Sequence, residues 1–301
     1  MMLLSISSSV FEPGFFSSAP VHVALIVGAV VSVVSGVVGT FTVVRGQSFA
    51  GHSLADIGTA GGSAAYLIGI TPLYGFLAMN LMAAGVMELI GIRRPRGRDL
   101  ATGIVLGAAL GLAALFLYLD TTSSSTTGAT VNVLFGSIFT LPPGMVPVIA
   151  VLSLVAVGFM LVLYRPLILS SLSPDLAAAR GVSVRPIGIG FLVALAIAVS
   201  LSAITIGAIL STALLIGPAA IALRLTKRTG HAIVTAAIVG IAATWLGILL
   251  AYDSYYWMPS NRAWPVSFIV VTLIFVFYLV VDLAVGRRAR PRRSPMVPET
   301  G

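Results

Sequence analysis

The sequence contains no cysteine, a single lysine and only nine acidic residues among 301. Without cysteine, the chain can form neither a disulfide nor a thiolate metal site. A P-loop holds phosphates with a Gly-Lys-Ser/Thr sequence, and here the only lysine, Lys227, follows a threonine. The chain therefore lacks the sequence that an ATP site of the P-loop kind requires.

The chain has few charged residues and many hydrophobic ones. Charged residues make up 9% of the chain and hydrophobic residues 58%, with a mean hydropathy of +1.09. In soluble domains about a quarter of the residues are charged. The net charge of +8 does not indicate nucleic-acid binding, because the basic residues lie in short clusters between long apolar runs, as the positive-inside rule describes. This composition predicts an all-α, polytopic helical membrane protein with no nucleic-acid partner.

Nine apolar segments each approach the roughly 20 residues that a bilayer crossing requires. Basic clusters such as 93–98 and 287–293 mark the cytoplasmic side. The apolar block 186–225 has basic residues at both ends, so it must cross twice, with Gly207 as the predicted turn. We predict nine spans, or eight if one segment is re-entrant, with the N-terminus outside and the C-terminus inside. The nine segments are 21–44, 50–70, 72–92, 100–119, 144–164, 186–206, 207–225, 231–252 and 265–285.

The chain divides into three parts by composition. We predict an extracytoplasmic N-terminal segment at 1–20, a transmembrane domain at 21–285 and a basic, disordered cytoplasmic tail at 286–301. Within the transmembrane domain, three glycines spaced by four form a face that lets two helices approach closely. Packing inside one subunit is the favoured interpretation of this face, and a contact between two copies is the alternative. The three are Gly103, Gly107 and Gly111.

Residues 173–181 have the pattern of a short capped helix between two apolar segments. Ser173 suits the N-cap, Pro174 the first helical position and Gly181 the C-terminal position. Asp175 complements the positive end of the helix dipole. A helix of about seven residues spans only about 10 Å, too little to cross a bilayer. We therefore expect this segment to meet water and to bind a soluble partner.

Two ionisable residues, His52 and Asp56, lie inside the second predicted span. They follow Arg45 by seven and eleven residues, which places them about 10 and 16 Å into the membrane at 1.5 Å per residue. Their spacing puts both on one helix face. Because ionisable groups at that depth are costly, they indicate a functional site. An imidazole and a carboxylate suit zinc, manganese or ferrous iron, and the alternative is a hydrogen-bonded pair that only fixes helix packing.

Two protein ligands are too few for a tight metal site. The ligand set could be completed by backbone carbonyls, by the side chain of Asn80 or Asn132, by water, or by the same pair from a second subunit. A weak site also suits a transporter, because the ion must leave. The sequence leaves these completions open.

Four short segments, in order along the chain, are similar to elements of one membrane-protein family. The first reads Gly-His-Ser-Leu-Ala-Asp-Ile, where the family has Gly-Asp-x-Leu-x-His-Ala. The four are Gly51–Ile57, the Leu-Phe-Gly segment Leu134–Gly136, the short helix 173–181, and Gly207–Ala220. On these residues the chain resembles the integral membrane subunit of bacterial ATP-binding-cassette (ABC) importers for zinc, manganese and iron, over most of 21–285.

One departure from the family pattern concerns the two candidate ligands. The family order is Asp then His, whereas this chain has His52 then Asp56. Both orders offer the same two groups on one face of a helix. The reversal keeps a plausible ligand pair and leaves the identity of the ion open.

The resemblance implies a permease subunit in the bacterial inner membrane that works as a homodimer. A separate cytoplasmic ATPase would supply the energy, and an extracytoplasmic binding protein would deliver a divalent ion that passes His52 and Asp56. The chain itself would then have no hydrolytic site and no cofactor. The residues that it implies for ATPase coupling are Ser173, Pro174, Asp175, Leu176, Ala177, Arg180 and Gly181.

Other functions compete with this one. An importer of the same kind could carry a metal chelate or another small cargo, which would make His52 and Asp56 incidental. A secondary metal or proton transporter could use the pair as a proton relay. An intramembrane metalloprotease is disfavoured, because its His-Glu-x-x-His motif is absent.

Overall fold

The computed structural model describes residues 14–93, 98–124, 128–136, 138–172, 174–181, 183–257 and 263–288. In these ranges the chain contains helices and no strand, starting with a single 3₁₀ turn at Phe15–Ser17. Residues 1–13 of the predicted N-terminal segment and 289–301 of the predicted tail lie outside them. The helices are α1 Ala19–Val44, α2 Ser48–Leu67, α3 Pro72–Arg93, α4 Arg98–Ser124, α5 Gly128–Phe135, α6 Met145–Leu172, α7 Pro174–Ala179, α8 Val184–Ile206, α9 Ala208–Leu225, α10 Thr229–Trp257 and α11 Val266–Arg288.

Nine of these helices lie where the nine apolar segments predicted them. Seven contain a described stretch that is long and apolar enough to cross a membrane, which confirms a polytopic helical membrane protein. The predicted count of nine crossings is not shown, because α2 and α3 are not among the seven. Their sequences carry the polar residues His52, Asp56 and Asn80. The seven are α1, α4, α6, α8, α9, α10 and α11.

Helices α1 and α8 form the interior of the bundle. Of the apolar stretch of α8, 78% is buried, against 17% for α4 and for α11. Hydroxyl pairs join the interior helices: Ser35 to Ser202 between α1 and α8, and Ser32 to Thr244 between α1 and α10, each at 3.0 Å. Because there is no hydrophobic driving force for helix association in lipid, such polar contacts and small residues help to hold membrane bundles together.

The break between α8 and α9 falls at Gly207, as the sequence predicts. Helix α8 ends at Ile206 and α9 begins at Ala208, so one residue replaces a polar loop. Gly207 has φ +88°, in a region that side chains with a Cβ rarely adopt. A single glycine therefore separates two apolar helices that hydropathy alone would merge.

The interpretation of the glycine face on α4 as packing within one subunit is wrong. Gly103, Gly107 and Gly111 all point outward, and among the described residues nothing lies within 4 Å of the place where a Cβ would stand. Close glycine packing occurs instead between Gly61 of α2 and Gly75 of α3, where a Cβ on either would meet the backbone of the other. Spacing identifies a small-residue face, but only tertiary structure decides what covers it.

The predicted short helix is α7, which has six residues and packs between α6 and α8. The backbone N–H groups of Arg180 and Gly181 donate to the carbonyl groups of Ala177 and Ala178, which closes its C-terminus. Ala177 is buried and Arg180 is exposed. Ser173, the predicted N-cap, lies outside the described residues. The helix therefore joins two long helices and leaves one side open.

Candidate functional site

Helix α2 carries the predicted ligand pair in its second and third turns. The link from α1 is only Arg45, Gly46 and Gln47, and the N–H of Gln47 donates to the carbonyl of Thr42 at 2.9 Å. One turn apart on α2, His52 Nε2 and Asp56 Oδ2 lie 3.5 Å from each other. The structure thus brings the two predicted groups together on one helix face.

Helix α9 adds a third polar group to the pair. The hydroxyl of Thr212 lies 3.3 Å from Nδ1 of His52. This contact engages one ring nitrogen and leaves the other directed at Asp56. Sequence reasoning missed Thr212, although it falls inside the segment Gly207–Ala220, because the family pattern leaves that position unspecified.

The pair is partly exposed, whereas the residues between its two members are buried. The side chains of His52 and Asp56 are 51% and 20% exposed, whereas their neighbours Ser53, Leu54 and Ala55 are buried. The contact with Thr212 covers one side of His52, and the uncovered side is accessible to an ion, water or a second subunit.

The pair also lies near the middle of the bundle. Gly51, the residue before His52, packs against the side chains of Leu195 and Leu215. These two leucines lie near the middle of α8 and α9, and both are fully buried. Gly51 also packs against Thr42, two residues before the end of α1, so the pair lies between the end of α1 and the middle of α8 and α9.

Neither candidate asparagine completes a ligand set in this arrangement. Asn80 is fully buried, donates from Nδ2 to Ser200 at 2.9 Å and packs against Gly58. Gly58 is two residues past Asp56, which at about 100° per residue puts it on the opposite side of α2. Asn132 lines an outer cavity of about 480 Å³ that includes neither His52 nor Asp56. No group of three or more His, Asp or Glu side chains suited to a metal occurs in the part of the chain that the structure describes.

Two segments of the family pattern meet at the outer end of the site. A Cβ on Gly136 would meet the backbone of Thr205 and Gly207, and a Cβ on Gly207 would meet the carbonyl of Leu134. The Leu-Phe-Gly segment at the end of α5 therefore sits directly on the α8–α9 break. This contact fixes the start of α9, and Thr212 lies little more than one turn farther along.

A bundle of apolar helices with a partly exposed ionisable pair on one of them is typical of a membrane transport subunit. The profile of the ABC 3 transport family matches residues 19–282. This chain belongs to that family. The resemblance noted from the sequence is confirmed, and the protein is a multi-pass protein of the bacterial cell membrane.

Curated relatives and a solved structure are similar over nearly the whole chain. The manganese transport system membrane protein MntC of Listeria monocytogenes is 28% identical over 265 residues, covering 88% of this chain and 91% of the relative. The manganese import system permease protein ScaB of Streptococcus gordonii is 25% identical over 270 residues, covering 90% and 93%. The structure of PsaBC from Streptococcus pneumoniae in complex with Fab has a TM-score of 0.75 at 25% identity, covering 89% and 93%.

Proposed function

We propose that this chain is the permease subunit of an ABC importer that moves Mn²⁺ into the cytoplasm. The observation that carries the proposal is the partly exposed pair of His52 and Asp56 on α2, with Thr212 beside it. The names of MntC and ScaB, which are similar over most of this chain, favour manganese over zinc and iron. A divalent ion is here the cargo of the protein and not a resident cofactor.

The donor chemistry supports a borderline, weakly held cation. The carboxylate of Asp56 and the hydroxyl of Thr212 are oxygen donors, which suit Mn²⁺. The imidazole of His52 also suits Zn²⁺ and Fe²⁺. The sequence has no cysteine, so the soft thiolate ligands that favour zinc are absent. Water or the partner permease would supply the remaining ligands on the open side of His52. Few protein ligands also let the ion leave toward the cytoplasm.

All nine long helices cross the membrane in this proposal, including α2 and α3. Helix α2 packs against α3, α4, α8 and α9, and the partner permease would cover the exposed side of His52 and Asp56. Polar residues inside membranes usually face the bundle interior or a cavity. A helix in this position needs less apolar surface than one that faces lipid, which accounts for its composition.

The proposed energy source is a separate ATPase that docks on residues 173–181. Helix α7 is too short to cross the membrane, and the exposed Arg180 that follows it is available to a soluble partner. Closure of the ATPases on ATP would push α7, and α6 and α8 would move with it because α7 packs on both. An extracytoplasmic binding protein would deliver the ion to a dimer of this chain, which itself hydrolyses no ATP.

Uptake of radiolabelled manganese, zinc and iron tests this function. Cells without their own importers would express this chain with its ATPase and binding protein, beside a His52→Ala/Asp56→Ala variant. The matched control is Ser35→Ala/Ser202→Ala, which removes a hydrogen-bonded hydroxyl pair elsewhere in the bundle, a loss of about 0.6 kcal/mol on average between membrane helices.

We expect manganese uptake in the wild type and in the serine control, and none in the His52/Asp56 variant. Uptake of zinc or iron in place of manganese would change the cargo but keep the site. Equal uptake by the His52/Asp56 variant would reduce the pair to packing. No uptake of any ion by an assembled complex would favour a chelate or another cargo.

A further inference from the structure

Arg45, the first residue after α1, joins three helices through one side chain. Its Nη1 donates a hydrogen bond to the hydroxyl of Ser170 on α6 at 3.0 Å. Its guanidinium carbon also lies 5.2 Å from the centre of the Phe191 ring on α8. The side chain therefore links the end of α1 to both α6 and α8.

Both partners of Arg45 are firmly held. Phe191 is fully buried and Ser170 is 5% exposed. The Ser170 hydroxyl donates to the carbonyl of Leu167 at 3.2 Å, which orients its oxygen to accept from Arg45. A hydrogen bond from a charged donor is stronger than a neutral one, and a cation over an aromatic ring adds attraction. A rigid contact of this kind can transmit a displacement between helices.

The contact lies between the proposed coupling helix and the proposed ion site. Ser170 precedes the first residue of α7 by four positions, and Phe191 lies on α8, the other helix on which α7 packs. In the opposite direction, Arg45 begins the three-residue link to α2, where His52 follows it by seven positions. A shift of α6 and α8 driven at α7 therefore reaches the start of α2 through Arg45.

We propose that Arg45 is a positioning residue that couples movement of α7 to the α1–α2 link and so to His52 and Asp56. This inference rests on the proposed function of α7 and of the ion site. Without the Arg45 contact, the ATPase still docks and hydrolyses ATP, but less of the displacement reaches α2. Fewer ions are then transported for each ATP hydrolysed.

The test is the number of manganese ions moved per ATP hydrolysed, measured on the complete complex in liposomes. Residues along a coupling network typically change coupling severalfold, so we expect Arg45→Gln to lower this ratio about threefold to tenfold. The amount of ATPase that copurifies should stay unchanged. Ser170→Ala and Phe191→Leu should each lower the ratio by less. Arg45→Lys should fall between wild type and Arg45→Gln, because an ammonium group lacks the planar fork that serves both partners.

Arg224 provides a control, because it also combines a polar contact with an aromatic ring and joins two helices elsewhere. It pairs with Asp282 and lies 4.8 Å from the centre of the Tyr278 ring, which joins α9 to α11. We expect Arg224→Gln to leave the ratio unchanged. An equal fall in both variants would overturn the inference, since it would indicate general loosening of the bundle.

The outcomes separate this inference from the proposed function. If the wild-type complex transports manganese and Arg45→Gln has the same ratio of ions moved to ATP hydrolysed, only the role of Arg45 is overturned. A wild-type complex that moves no ion on ATP overturns both. If Arg45→Gln does not assemble, Ser170→Ala and Phe191→Leu decide, and wild-type ratios in both would refute the coupling role.

Discussion

Thr212→Val is the most informative single change at the ion site, because valine keeps the shape of threonine and replaces its hydroxyl with a methyl group. In the wild type that hydroxyl lies 3.3 Å from Nδ1 of His52. Without it, one ring nitrogen of His52 loses its partner, and the imidazole is free to rotate away from Asp56. We expect the bundle to remain intact and ion binding to weaken.

The structure sets the size of the expected effect. Loss of a group that orients a metal-binding histidine typically costs about 10- to 100-fold in affinity. The contact here is long, and the His52 side chain is 51% exposed. A neutral hydrogen bond contributes about 0.5–1.5 kcal/mol, which corresponds to about a 2- to 12-fold change. The exposure of His52 lets water replace part of the interaction, so we expect the low end, about 2- to 5-fold.

The assay is the concentration dependence of manganese uptake, with Thr212→Ser as the matched control that retains the hydroxyl. We expect Thr212→Val to raise the KM for manganese about 2- to 5-fold, whereas Thr212→Ser should stay close to wild type. A wild-type KM in Thr212→Val would refute the orienting role. An equal rise in both variants would show that the KM does not depend on the hydroxyl, because Thr212→Ser retains it.

Three further predictions follow from the described geometry. Asp56→Ala should abolish uptake while membrane insertion, followed by fractionation, stays normal; retained uptake would exclude a ligand role. Gly207→Ala should destabilise the bundle by about 2 kcal/mol or more, because a Cβ would overlap the carbonyl of Leu134 at a positive φ, whereas Gly103→Ala should change the thermal unfolding temperature little; equal shifts would contradict the packing. Gly181→Val should reduce ATPase copurification, because φ of +74° strains valine at the end of α7; undiminished copurification would contradict it.

The sequence alone predicted the class of protein and most of its helices. The low content of charged residues and the long apolar runs exclude a soluble fold, because so few polar residues cannot form a water-facing surface around the apolar core. The break at Gly207 was also predictable, since basic residues at both ends of one apolar block require two crossings. The pairing of His52 with Asp56 followed from their spacing on a helix, which is a local property.

The tertiary structure decided which distant residues meet. Thr212 reaches His52 across 160 positions, and Arg45 reaches Ser170 across 125; no local periodicity encodes such contacts. The glycine face of α4 shows the same limit, because its spacing permits close approach but names no partner. Local sequence patterns thus determine the helices and their faces, because a helix depends on backbone hydrogen bonds between near neighbours and its length depends on the thickness of the bilayer. The partners of each face depend on how all the helices pack together, and only the assembled bundle specifies them.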